Sequence, residues 1–161
     1  MPLSTLREFL DRNHIKYLVI SHSLAYTAQG IAALTHIPGK ELAKTVILLL
    51  DGRLAMAVVP ASSKVDLFRL KKYLGAETVE LASENDFRDH FPDCECGAMP
   101  PFGNLYGMEV FADESLTQDK EIAFNAGTHR ELVRMSFADF RAIVKPVLLP
   151  LTAGRAGAHA A

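Results

Sequence analysis

The chain has 161 residues, of which 49% are hydrophobic and 22% charged, a composition that supports one globular core and excludes disordered and fibrous classes. Its 17 Lys and Arg against 19 Asp and Glu give a formal net charge of -2, so any grip on nucleic acid has to come from a local basic patch and a shaped pocket. Two cysteines, Cys94 and Cys96, make no disulfide framework, and the start lacks a basic stretch followed by an apolar leader; a reduced, cytoplasmic compartment is expected.

In chain order, Leu3, Leu6, Phe9 and Leu10 recur at helical spacing, with Ser4 as the expected N-cap and Asn13-His14 as the stop. Residues 16–20 read as a strand, and 27–34 as a short helix capped by Thr27 and ended by Pro38-Gly39. The clearest element follows. The runs 45–50 and 54–59 flank Asp51-Gly52, a dipeptide suited to a type I′ turn, and their near-continuous apolarity predicts a hairpin buried on both faces. The run at 45–50 is also far too short to span a bilayer, and no membrane partner is expected.

Ser63-Lys64-Val65-Asp66 reads as a capping box for a helix running to Leu74 and closed by Gly75. Strands are expected at 78–81, 108–111, 121–125 and 132–135, a short helix at 83–90, and a helix over 137–143 capped by Ser136. The stretch 91–107 carries three prolines, three glycines and both cysteines with no usable period, the signature of a long functional loop. The pattern predicts one α+β domain over residues 1–150 with a mostly antiparallel, barrel-like sheet, and a flexible tail over 151–161.

Three stretches can carry chemistry. In Ala43-Lys44-Thr45 a lysine opens an apolar strand, either as its solvated end or at a cleft mouth where an ammonium holds a phosphate or ribose oxygen. In Gly97-Ala98-Met99-Pro100-Pro101-Phe102-Gly103 the prolines fix φ while the glycines open conformations barred to other residues. The result is a rigid surface able to aim N–H groups at a carbonyl, or a plain structural loop. Asn125-Ala126-Gly127-Thr128-His129 follows a strand and can bring backbone close to a ligand and an imidazole to a pocket rim, although lone histidines are commonly surface or core residues. His22 and Thr27 can line the same cleft. No G-x-S-x-G, Walker A or G-x-G-x-x-G motif occurs, and the segment from His90 to Cys96 lacks the paired spacing of a zinc site. No metal and no cofactor are expected.

Taken in this order, the lysine opening a buried strand, the G-x-x-x-P loop from Gly97 to Pro101 and the late Gly127-Thr128-His129 resemble the YbaK-like domains. These include the editing insertion of bacterial prolyl-tRNA synthetases and its free-standing relatives. The run from His22 to Gln29 and Pro100-Pro101-Phe102-Gly103 share the likeness, which covers about residues 20–145. The resemblance implies a YbaK-like mixed, barrel-like sheet surrounded by helices, and a trans-acting hydrolase that removes a wrongly attached amino acid from tRNA without metal or covalent protein intermediate. It implies Lys44, Gly97, Pro101, Gly127 and His129 as the catalytic set. His22, Thr27, Thr45, Ala98, Met99, Pro100, Phe102 and Thr128 would bind substrate. Lys44 would contact the terminal adenosine or its phosphate, the Gly97 loop would orient the ester carbonyl, and Gly127 with His129 would close the other side.

The sequence departs from close subgroups in carrying Thr45 after the lysine, where alanine-specific members commonly have Asn. The late motif with histidine favours alanine, mischarged on tRNA-Pro, over cysteine as the substrate. Expected partners are that mischarged tRNA and a synthetase, not DNA, with the chain a monomer or weak dimer. The Lys64, Arg69, Lys71, Lys72, Arg130 and Arg134 side chains are the candidate phosphate-facing charges. The competing reading is a non-catalytic module of the same fold that binds a tRNA end or a synthetase.

Overall fold

The computed structural model describes residues 2–24 and 28–152 of the chain. The elements in order are α1 (Pro2–Arg12), β1 (Tyr17–Ser21), α2 (Ala28–Thr35), β2 (Ala43–Leu50), β3 (Arg53–Pro60) and α3 (Leu67–Leu74). They continue with β4 (Val79–Leu81), α4 (Glu84–Phe87), β5 (Glu109–Asp113), β6 (Glu121–Asn125), β7 (Glu131–Ser136), α5 (Phe137–Val144) and β8 (Val147–Leu149). Among the described residues no helix is long and apolar enough to cross a membrane.

The β2–β3 hairpin sets the frame. Lys44 lies opposite Val59 and Leu50 opposite Arg53, and the loop residues Asp51 and Gly52 take φ of 50° and 82°, as a type I′ turn requires. Its apolarity is continuous because both faces are covered. Ala43, Ile47, Met56 and Val58 join the main core, whereas Leu48, Leu50, Ala55, Ala57 and Val59 pack with Leu70 of α3. Antiparallel β4 and parallel β5 and β8 extend this hairpin to a five-stranded sheet of order β4-β2-β3-β5-β8.

A second, antiparallel sheet has the order β1-β7-β6. One parallel bridge, Leu42 with Ala123, ties it to the start of β2, and the Ala123 N–H donates to Glu41 O at 2.9 Å. The main core fills the space between the sheets, where Phe102 meets Phe9, Phe124 and Phe140. The architecture is the expected mixed, barrel-like α+β domain, joined at one edge and left open rather than closed.

Local chemistry explains most boundaries. Ser136 caps α5 by accepting from the Asp139 N–H, and Ser83 and Asp86 form a reciprocal capping box on α4. Gly75 closes α3 at φ 63°. The expected capping box at 63–66 is corrected: Asp66 itself is the N-cap, accepting from Arg69 N. Val65 is bridged to Thr152, and the Asp66 N–H donates to Leu151 O, so the chain stays extended through 65 and the helix starts after it. The tail boundary is corrected too. Leu151 is fully buried and its N–H donates to the buried Asp113 carboxylate at 2.8 Å, an anchor placed 38 residues away in sequence. Thr27, the expected cap of α2, lies outside the described residues.

Candidate active site

The register assembles a face. Across the second sheet, Ile20 pairs with Leu132 and Leu132 with Asn125. Two residues beyond the Leu42–Ala123 bridge, Lys44 comes level with Asn125. The alternation of side chains then puts Ile20, Leu132, Asn125 and Lys44 in one row on the outer face. The neighbouring row holds Ala123 and Leu42, and Ile31 of α2 packs on both with Ile37. The His22 N–H donates to Arg130 O at 2.8 Å, which carries the β1–β7 ladder one step further out. Leu42, Ala123 and Leu132 are buried under α2, and the same face carries Lys44, Asn125 and, opposite Ala123, Arg134.

At that end of the sheet the two late motifs lock together. The Glu95 N–H donates to Gly127 O and the Gly127 N–H to Ala98 O, both at 2.8 Å. Glu95 Oε1 accepts from the His129 N–H at 2.6 Å, and His129 Nε2 donates to Cys96 O at 2.8 Å. These four bonds clasp residues 95–98 to residues 127–129. Gly97 and Gly127 sit at φ of 85° and 98°, a region that L side chains avoid. Thr128 Oγ1 donates to Glu131 Oε1 at 3.2 Å and accepts from the Arg130 N–H, which rigidifies the turn between β6 and β7.

His129 differs from expectation in its role. It is 7% exposed, and its Nε2 proton is committed to the Cys96 carbonyl. The imidazole therefore positions the Gly97 loop instead of standing open at the rim. Phe102, expected to bind substrate, is 0% exposed within the aromatic core. Ala98, Met99, Pro100 and Pro101 are buried as well, so the loop presents backbone, not side chains, to the site. Met99 also borders a separate cavity of about 380 Å³, lined by Phe87, Arg88, Phe91, Cys94 and Cys96, that contains none of Lys44, Gly127 and His129.

Lys44 is half-buried, and burial pulls its pKa below the ordinary lysine value, helped by the nearby charge of Lys64. Thr45 alternates to the opposite face, where Ala43 and Ile47 join the main core, and its Oγ1 is buried without a hydrogen-bond partner among the described residues. Asn125 Oδ1 and His22 Nε2 are buried in the same unpartnered condition. His22 Nδ1 donates to Ser23 O at 2.6 Å, so its Nε2 offers a lone pair. Of the candidate phosphate contacts, Arg134 is paired with Glu41 and Glu121, and Arg69 with Asp66 and Thr152 O. Lys64, Lys71, Lys72 and Arg130 keep exposed side chains. Sequence reasoning passed over Glu95 and Asn125 as site residues. The available signal was one carboxamide ending the otherwise apolar run Ile122-Ala123-Phe124.

Residues 22–143 match the family described as the aminoacyl-tRNA editing domain. The chain belongs to that family. It is thus an editing hydrolase of the aminoacyl-tRNA deacylase class, as the YbaK resemblance implied. The chain is similar to the multifunctional Ser/Thr-tRNA deacylase ProXp-y of Escherichia coli K12, with 26% identity over 145 residues that cover 87% of this chain and 86% of that one. It is also similar to the proline--tRNA ligase of Staphylococcus saprophyticus, 28% identical over 133 residues, 74% of this chain and 23% of the ligase. A crystal structure described as a candidate trans-editing enzyme for prolyl-tRNA synthetase shares the fold at a TM-score of 0.82, with 19% identity over 95% of this chain and 98% of that one.

Proposed function

We propose that this chain works free-standing in the cytoplasm, in trans, on mischarged tRNA, releasing a small amino acid from the terminal ribose. The clasp between residues 95–98 and 127–129, formed at the end of the sheet face that carries Lys44, is the observation that supports this most. It presents backbone at the end of the sheet face that carries one ammonium. Among the described residues the Gly97 N–H donates to no acceptor, which suits it to a developing oxyanion. One such donor is typically worth about 2.7–4 kcal/mol in the transition state. An aminoacyl ester is already activated, so a positioned water, assisted by the substrate's own ribose hydroxyl, is a sufficient nucleophile.

The need for such an enzyme is physical. A synthetase pocket gains only about 1–3 kcal/mol per methylene, so a smaller amino acid slips in and a second, size-limited site must remove it. Alanine on tRNA-Pro is one candidate, favoured by Gly127-Thr128-His129; serine and threonine are the others, favoured by the name of the Escherichia coli relative. Prolyl-tRNA synthetase is the partner that the matched ligase favours. Incubation with alanyl-, cysteinyl-, seryl- and prolyl-tRNA-Pro, with Lys44→Ala beside it, tests the reading. Release from one mischarged species, sparing the prolyl ester and lost in Lys44→Ala, is expected. Survival of every ester, with tRNA binding intact, favours the non-catalytic module instead.

A further inference from the structure

We infer that Asn125 is a specificity-determining residue that reads a hydroxyl on the side chain of the released amino acid, favouring seryl and threonyl esters over alanyl. The inference rests on the deacylase reading above and adds to it the residue and the rule of selection.

The position carries the argument. Asn125 ends β6 in the row that contains Ile20 and Leu132, beside buried Ala123 and Leu42, with Ile31 of α2 packed against the same floor. The polar side chains on this face are Lys44, Asn125 and Arg134, with His22 at its end; Arg134 is engaged by Glu41 and Glu121, and the apolar neighbours are already buried under α2. Asn125 Oδ1 is buried with no hydrogen-bond partner among the described residues, and the His22 Nε2 lone pair at the same end of the sheet is buried likewise. A carboxamide oxygen kept buried and unpaired is a cost to the free protein that a ligand can relieve.

The chemistry of the row selects the ligand. The register of the Leu42–Ala123 bridge brings Lys44 level with Asn125 on one face, and a second cation there would be repelled, so the substrate's α-ammonium is a poor partner. A neutral hydroxyl suits the site, because it can donate to the amide oxygen or, with the amide turned over, accept from its nitrogen. A methyl group fills the same space and leaves the amide unpaired. The ribose hydroxyl is the other hydroxyl at hand, and the experiment below distinguishes the two.

The test uses matched esters loaded onto a single tRNA. Threonyl against valyl compares equal shapes with and without the hydroxyl, and seryl against alanyl repeats the comparison at smaller size. Wild-type protein should favour the hydroxylated member of each pair by about 10- to 100-fold in kcat/KM. Asn125→Leu, of similar volume, should bring both ratios to about one by lowering release of the hydroxylated members, with a wild-type-like thermal melt showing that the variant folds. Asn125→Ala replaces it, with the same two readings, should the leucine variant be inactive on every ester.

Wild-type ratios near one overturn the inference, as do wild-type-like ratios in both variants. A third overturning result is an equal loss on all four esters that disappears when the terminal adenosine lacks its free ribose hydroxyl, since Asn125 then reads the ribose. Wild-type protein that cleaves no ester at all sinks the deacylase reading together with this one. Cleavage of all four without preference sinks this one alone.

Discussion

Gly97 and Gly52 offer a matched pair of perturbations. Both sit at strongly positive φ, 85° and 82°, so an alanine at either bears about the same left-handed backbone penalty, roughly 1–2 kcal/mol. Contact differs little. A Cβ on Gly97 would lie 3.5 Å from His129 Cε1, an ordinary van der Waals distance, and one on Gly52 would meet nothing within 4 Å. Location differs greatly, because Gly52 turns the hairpin at the far end of β2 from Lys44, whereas Gly97 sits inside the clasp. Thermal melts should therefore show both variants losing about 2–8 °C for a chain of this size. Single-turnover deacylation should separate them. Gly52→Ala should stay within about twofold of wild type, and Gly97→Ala should fall by an order of magnitude or more, because a small displacement of a positioned donor costs up to about 10²-fold. Equal activity losses in the two, or a fully active Gly97→Ala that melts low, would refute the claim that the loop backbone is part of the catalytic apparatus.

Lys44→Met should abolish release while raising the melting temperature at neutral pH, because burial lowers the pKa of the lysine and Lys64 adds repulsion. The sign follows from linkage: the folded state holds the Lys44 proton less tightly than the unfolded state, so its destabilising charge is fully present at neutral pH and is relieved as pH rises through the lowered pKa. The gap between the two melting curves should then close in alkaline buffer; a gap that widens would contradict the assignment. Phe102→Ala should cost about 3–5 kcal/mol in urea unfolding as a core truncation. A change below 1 kcal/mol would return Phe102 to the pocket wall. Reversal of Lys71 and Lys72 to Glu should weaken tRNA binding and flatten its dependence on log salt by about one to two units of slope, and unchanged binding would remove α3 from the tRNA surface.

The sequence alone determined the features that short-range chemistry controls. Asp51-Gly52 can form a I′ turn without strain, Gly75 ends α3, and Ser136 and Ser83 cap the helices that follow them, because these depend on residues within four positions of each other. The order of Lys44, the Gly97 loop and Gly127-Thr128-His129 was legible too, since each keeps its own local pattern.

What the tertiary structure decided lies across longer separations. The cap at Asp66 was obscured because Leu151 and Thr152 hold residues 65–66 extended, and β8 and the buried Leu151 depend on β5 and Asp113, more than 30 residues away. Pro-rich 97–103 reads as one exposed surface in sequence, yet Phe102 is drawn into the core by rings on three different helices and strands. His129 reads as a rim imidazole, and only the fold brings Cys96 O to its Nε2 across 33 residues. Asn125 gains its meaning from register alone. A one-residue shift of β6 would turn it into the main core, and the physical reason it faces Lys44 is a single parallel bridge that no local pattern encodes.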